Sequence, residues 1–198
     1  MKQFTRIEPT TVQTVGLQYK RQVVIKNFRD DDGVVHEFTT MYSEGSRAGA
    51  VVALTSDNQV ITTYQFRPGM ERWLYELPGG GFKSGETDQE AAVRELREET
   101  GYKPGHIEYL GESCGDAYNN VTFHYFFATD CVPDDNGQEL DQEEKDQGAA
   151  VQLISIDELI ANAKTAGMTD PRAVLMAYEK LRELQKTPIN EPAEEGKV

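Results

Sequence analysis

Apolar and polar residues alternate between positions 15 and 40, and the phase predicts two strands, 23–28 and 34–38, separated by Arg29-Asp30-Asp31-Asp32-Gly33. Asp-Gly at that point is hairpin chemistry, so the pair is expected to be antiparallel. Residues 48–54 and 59–66 are again strand-like and flank Thr55-Ser56-Asp57-Asn58, a polar cluster suited to a tight turn. Pro68-Gly69 breaks the second of these strands. Between 87 and 100 the period changes: Ala91, Ala92, Val93 and Leu96 form a stripe at helical spacing. Thr87 with Glu90 makes a capping box and Gly101 supplies a C′ stop, so both ends of this helix are written in the sequence.

Two further strands are expected at 106–113 and 121–130, followed by a polar, acidic stretch at 133–148 that reads as a long loop or irregular hairpin around Asn136-Gly137. Ser155 and Glu158 form a second capping box ahead of a short helix ending near Gly167. Asp170-Pro171 offers an N-cap and an N1 proline to a last helix, whose apolar face is Val174, Tyr178, Leu181 and Leu184. Residues 187–198 hold two prolines and little to bury, and are expected to be disordered.

The 198 residues suffice for one domain with its own core, or a domain plus an appendage. A net charge of −14 and a pI near 4.6 repel phosphate polymers and anionic lipid, so neither nucleic acid nor membrane is an expected partner. No apolar run approaches the roughly 18 residues of a membrane span, and residues 1–11 lack a continuous apolar signal region, so the expected location is cytoplasmic. Cys114 and Cys131 have no C-x-x-C spacing and are both expected to be buried thiols. His36, His106 and His124 are scattered, without metal-ligand spacing. G-x-S-x-G and P-loop motifs are absent.

The chemistry concentrates in residues 80–102. Glu95, Glu98 and Glu99 stand at i, i+3 and i+4, which sets three carboxylates on one side of the helix, in its last two turns. Like charges at that spacing, near the negative end of the macrodipole, work against helix formation. A divalent cation would reverse both penalties, and hard oxygen ligands suit Mg²⁺. A solvated acidic helix paired to Arg94, Arg97 or Lys83 is the competing reading. The preceding glycines, Gly79, Gly80 and Gly81, allow main-chain groups to approach the same site as ligand or phosphate donor.

Gly80, Glu86, Arg94, Glu95, Leu96, Glu98, Glu99, Gly101 and Tyr102 decide between these readings. They match the Nudix hydrolase box, G-x5-E-x7-R-E-U-x-E-E-x-G-U, with Tyr102 in place of the usual final aliphatic residue. The segment therefore resembles a Nudix loop-helix-loop. The resemblance implies an α+β fold, the Nudix α/β/α sandwich over 46–186 with an N-terminal antiparallel β extension over 1–45. It also implies a Mg²⁺- (or Mn²⁺-) dependent hydrolase of a nucleoside diphosphate linked to another moiety. By that likeness Glu95 and Glu99 are the principal metal ligands, Glu98 assists or positions water, and Gly79 offers its carbonyl. Arg94 and Glu86 fix the loop and helix. Glu143 and Glu144 lie where a loop general base is expected, with Glu144 the candidate and Gln147 an equal alignment partner.

The approach to the box, QFRPGMERWLYELPGG, resembles the branch acting on ADP-ribose and other nucleotide sugars. In that branch the residues matching Arg67 and Glu76 lie near substrate, and the N-terminal strands pair across a homodimer. Arg67 is then a phosphate or ribose contact, or alternatively a surface ion pair with Glu71. Trp73, Phe66 and Tyr118 are available to stack on a purine. A proline about sixteen residues beyond the box, usual in ADP-ribose enzymes, is replaced here by Ala117-Tyr118. A tyrosine there resembles the dinucleoside polyphosphate branch, so both substrate classes stay open, together with GDP-mannose and a non-catalytic nucleotide-sugar sensor.

Overall fold

The computed structural model describes residues 1–186, so the expectation for 187–198 lies outside the described residues. Strand β1 (Phe4–Val15) pairs antiparallel with β2 (Arg21–Asp30), which pairs antiparallel with the first part of β3 (Val35–Thr55). The β2–β3 hairpin is the one expected around Asp-Gly, with Gly33 at φ 83°. Sequence reading misses β1, because its side chains are nearly all exposed and no alternation of burial marks it.

Strand β3 is continuous over 21 residues and passes from the extension into the central sheet. The transition is a bulge between Met41 and Ser46, where Tyr42 and Gly45 take positive φ values of 66° and 73°. The partition expected at 45/46 thus falls inside a strand. Beyond it, β4 (Val60–Arg67) returns antiparallel to β3 through a turn with Asn58 at φ 59°. β5 (Arg72–Glu76) pairs with β4, and β6 (Gly79–Gly81) with β3. Helix α1 (Asp88–Thr100) follows, then β7 (Tyr102–Lys103) and β8 (His106–Cys114), both paired with β9 (Asn119–Pro133). β9 lies parallel to β3, with Val51 opposite Phe126.

The acidic stretch after β9 is not wholly loop. It holds a short helix, α2 (Gln142–Asp146), with a complete capping box between Asp141 and Glu144, a D-x-x-E signal present in the sequence. β10 (Ala150–Ile154) adds to β4, and α3 (Ile156–Lys164) and α4 (Pro171–Lys186) complete the chain. At α3 the expected capping box is half formed: Ser155 Oγ accepts from Glu158 N at 3.1 Å, while the Glu158 carboxylate takes the Tyr75 hydroxyl at 3.3 Å.

Strand alternation separates two cores. Val51, Ala53, Phe126 and Ala128 face Ala92 and Leu96 of α1, and Val52, Leu54, Tyr125 and Phe127 face Leu159, Val174 and Leu181 of α3 and α4. This is the α/β/α sandwich with a β extension. Complete burial of Leu96 (0% exposed) contributes roughly 1.5–3 kcal/mol to holding α1 on the sheet. Cys131 is buried and its thiol is pushed up to about 11 by desolvation, whereas Cys114, contrary to expectation, is exposed where β8 ends beside the Gly115 turn.

Candidate active site

Helix α1 is stopped at both ends as its sequence predicts. Thr87 Oγ1 accepts from Glu90 N at 3.2 Å, Glu90 returns a bond to Thr87 N at 2.8 Å, and Gly101 at φ 74° donates to Arg97 O at 2.8 Å. Its buried face holds Ala91, Ala92 and Leu96 and also two carboxylates, Glu95 and Glu99. The glycine loop of β6 makes this possible. A Cβ on Gly80 would come within 2.8 Å of the Glu95 carboxylate, and one on Gly79 would overlap the Gly49 carbonyl oxygen. The loop backbone is thereby pressed between β3 and the acidic face of α1.

Arg94 organises the outer half of this site. Its Nε and Nη2 donate to Glu86 at 3.0 and 2.8 Å, and its Nη1 donates to Glu95 at 2.7 Å and Glu98 at 3.0 Å. Nη2 also reaches the Gly81 carbonyl at 3.3 Å. The guanidinium beside Glu86, with the Lys83 backbone N–H, pulls that carboxyl down to about 2. Glu95 is nevertheless held above the usual range, because burial outweighs the stabilising bond from Arg94.

Glu99 is different. It is 7% exposed, and it accepts a hydrogen bond from the Gly79 N–H at 3.2 Å. Burial, reinforced by the negative charges of Glu144 and Glu95, pushes its carboxyl well above the ordinary value. Glu144, on α2, is also raised, mainly by burial, against the opposing bond from Asp141 N at 2.6 Å. Both carboxylates line a cleft of about 680 Å³, whose lining also includes Lys20, Arg21, Arg47 and Arg67.

A hard-oxygen donor set with too few protons or cations nearby is what a divalent ion requires, and Glu99 meets that condition. Glu95 and Glu98 are partly compensated by Arg94, and the box acids are not closed on one point. Among the described residues, the trio whose ligand oxygens all lie within 4.8 Å of one another is Asp30, Asp31 and Asp32, in the distant hairpin turn.

A NUDIX domain model matches residues 45–177, about two-thirds of the chain. The chain is a Nudix hydrolase. It is 31% identical over 140 residues to the ADP-ribose pyrophosphatase of Bacillus subtilis (strain 168), covering 69% of this chain and 73% of that protein. It is 30% identical over 143 residues to the methanol dehydrogenase activator of Bacillus methanolicus, covering 70% and 75% respectively. The mouse ADP-sugar pyrophosphatase is 37% identical over 98 residues, 49% of this chain and 44% of that one. In fold, the crystal structure of an ADP compounds hydrolase superposes with a TM-score of 0.73 over 93% of this chain and 97% of its own, at 21% identity.

In this Nudix hydrolase the residues singled out from sequence fall into two groups. Gly79, Gly80, Gly81, Glu99, Arg67 and Glu144 line the cleft, with Glu95 directly behind Gly80. Arg67 does not pair with Glu71. It makes a two-pronged ion pair with the buried Glu76 and donates to Gln147 Oε1 at 2.9 Å, so Arg67 lines the cleft while Glu76, itself outside the lining, fixes it there. Tyr118 is not brought to the cleft: it lines a separate cavity with Phe4, Phe28 and Phe38 on the extension. Trp73 and Phe66 pack edge to face on one another, and Trp73 stacks on Tyr64, outside the cleft lining.

Sequence reading passes over Gln65, Arg21 and Arg47. Gln65 is 4% exposed, donates to Glu76 at 3.0 Å, and its buried Oε1 has no partner. A signal existed in its strand phase, since positions 65 and 67 share one face of β4. Arg21 and Arg47 carry none, because their place at the cleft depends on how β2 and β3 fold back.

Proposed function

We propose that the enzyme hydrolyses the diphosphate bridge of a nucleotide sugar, with ADP-ribose as the foremost substrate, giving AMP and ribose 5-phosphate. The observation that carries this reading is the buried, nearly donorless Glu99 carboxylate beside a glycine loop in a cleft also lined by Lys20, Arg21, Arg47 and Arg67. The names of the Bacillus subtilis and mouse relatives agree with it. Glu95, Glu98, Glu99 and the Gly79 carbonyl would hold Mg²⁺ or Mn²⁺. Such an ion neutralises phosphate oxygens and lowers the pKa of bound water.

The chain's own groups then have separate tasks. Arg67, fixed by Glu76, presents its remaining donors to a phosphate or ribose oxygen. Arg94 and Glu86 hold the loop against the helix. Glu144 accepts a proton from the attacking water while that water's oxygen bonds to phosphorus and the bridging P–O bond breaks. The elevated affinity of Glu144 for protons brings it closer to the range in which a carboxylate serves as a base near neutrality. A homodimer formed through the N-terminal strands and a cytoplasmic location belong to the same reading.

A second reading, a nucleotide-sugar sensor acting on a partner, is favoured by one observation: the Bacillus methanolicus relative bears the name of an activator of another enzyme. Incubation with ADP-ribose, GDP-mannose and a diadenosine polyphosphate, with and without Mg²⁺, separates the two. The expected result is Mg²⁺-dependent turnover of ADP-ribose to AMP and ribose 5-phosphate. Tight binding of one compound with no turnover of any would replace the enzyme reading by the sensor.

A further inference from the structure

Helix α2 carries the candidate base yet has nothing apolar to hold it. Its five residues include no buried side chain, and a helix of that length has no independent stability in water. It also brings Glu143 and Glu144 into a cleft that already contains Glu99, so like-charge repulsion works to move it outward. Something must oppose that.

The Phe66 N–H, donating to Gln147 O at 3.0 Å, ties the end of α2 to β4, and the opposing side-chain contacts come from the turn between β1 and β2 and the first residue of β2, more than a hundred positions earlier in the chain. Arg21 Nη2 donates to Glu143 Oε1 at 2.6 Å. The Tyr19 hydroxyl bonds to Asp146 Oδ2, and Gln18 Nε2 reaches the same oxygen at 3.1 Å. Glu143 and Asp146 are three residues apart and so neighbours on the helix surface; Glu143 lines the cleft together with Glu144, and Asp146 stands outside the lining. From Glu143 the network continues to the neighbouring strand: Gln147 Nε2 donates to Glu143 at 3.2 Å, and Gln147 Oε1 accepts from Arg67.

We propose that the β1–β2 turn is a latch in which Arg21 and Tyr19 are positioning residues, holding α2 so that Glu144 faces the reacting water. The extension is then part of the catalytic unit, not an appendage to it. The role given to the latch rests on the assignment of Glu144 as base, but its grip on α2 does not. Each exposed contact contributes little by itself, since solvent screens surface ion pairs. Their effect is on where a weakly held helix spends its time.

The test compares Arg21→Gln, Tyr19→Phe, the double variant and Glu144→Gln in the full chain, by ADP-ribose kinetics and by hydrogen exchange over 141–149. Each latch variant should lower kcat about 3- to 5-fold and the double variant roughly 10- to 20-fold. The ceiling is the loss in Glu144→Gln, about 10²–10⁴-fold for a general base. KM should stay within about two-fold, amide exchange over 141–149 should rise, and the melting midpoint should hold, because the affected region opens locally. Reversing the pair, Arg21→Glu with Glu143→Arg, should recover most of the activity lost in Arg21→Glu alone. Unchanged exchange over 141–149 in the double variant overturns the latch. A KM raised in proportion to the fall in kcat overturns the positioning role by making Arg21 a substrate contact. Faster exchange together with full turnover by Glu144→Gln leaves the latch standing and removes the base assignment instead.

Discussion

Two buried carboxylates, Asp30 in the extension and Glu99 in the cleft, are treated by the fold in opposite ways. Asp30, 5% exposed, receives Lys2 Nζ at 2.8 Å, the backbone N–H groups of Val34 and Asp32 at 2.9 and 3.1 Å, and sits 2.9 Å from His36 Nε2. Lys2 and His36 hold its carboxyl far below the usual range. Glu99, equally hidden, has one backbone N–H and other carboxylates for neighbours, and its carboxyl is raised. A carboxylate that serves structure is satisfied by the chain. One left unsatisfied at the cost of burial is reserved for a partner the chain does not supply.

The strongest way to break that contrast is Glu99→Gln. Turnover should fall by roughly two to four orders of magnitude, a loss of the size seen when a group acting directly on the transition state is removed. The metal-free protein should melt at the same temperature or higher near neutral pH, because an isosteric amide needs no counter-charge. Steady-state kinetics and calorimetry check both halves. Activity kept near that of the parent would show that Glu99 is not reserved for the reaction.

Asp30→Ala is the mirror experiment and carries the next largest effect. It leaves Lys2 and two turn N–H groups without their acceptor, so the melting midpoint should drop by several degrees with kcat little changed. The pH dependence sharpens the comparison because the signs differ. Asp30 is lowered, so its contribution is present above its unfolded value near 3.8 and is lost as pH falls through the lower folded value. Glu99 is raised, so its contribution is complete below about 4.5 and is lost as pH rises through the higher folded value. Melting midpoints of the metal-free chain from about pH 3 to about pH 8 should therefore show a fall at the acid end that is weaker in Asp30→Ala, and a fall toward neutrality that is weaker in Glu99→Gln.

The acidic helix, its caps and the glycine loop were legible because they are local: Thr87, Glu90 and Gly101 act within a turn, and Glu95 and Glu99 are tied by helical periodicity. The two strands at the centre were legible as strands, and their uninterrupted apolar runs, 50–54 and 125–128, are what a sheet covered on both faces requires. What stayed hidden depends on long-range closure. β1 has no buried phase to betray it, Arg67 finds Glu76 across the β4–β5 hairpin and not the nearer Glu71, and Tyr118 is carried to the extension by the turn before β9. Helix α2 is the exception, a local D-x-x-E signal concealed by an otherwise loop-like composition.

The smallest expected effect separates two adjacent glycines by the same logic. At Gly80 a methyl group would meet the end of the Glu95 side chain at 2.8–2.9 Å, an atom group that can swing aside, whereas at Gly79 it would strike the Gly49 backbone carbonyl, which cannot. Gly80→Ala should thus fold normally and gain a little stability from the stiffer unfolded chain, about 0.4–1 kcal/mol. The displaced Glu95 should raise the Mg²⁺ concentration needed for half-maximal activity by a few-fold, read from a metal titration at saturating ADP-ribose. Gly79→Ala should instead lose stability, seen as a lowered melting midpoint, through backbone collision. If Gly80→Ala left the metal requirement untouched while Gly79→Ala behaved as expected, Glu95 would be a carboxylate satisfied by Arg94 in the manner of Asp30, and the reserved set would shrink toward Glu99.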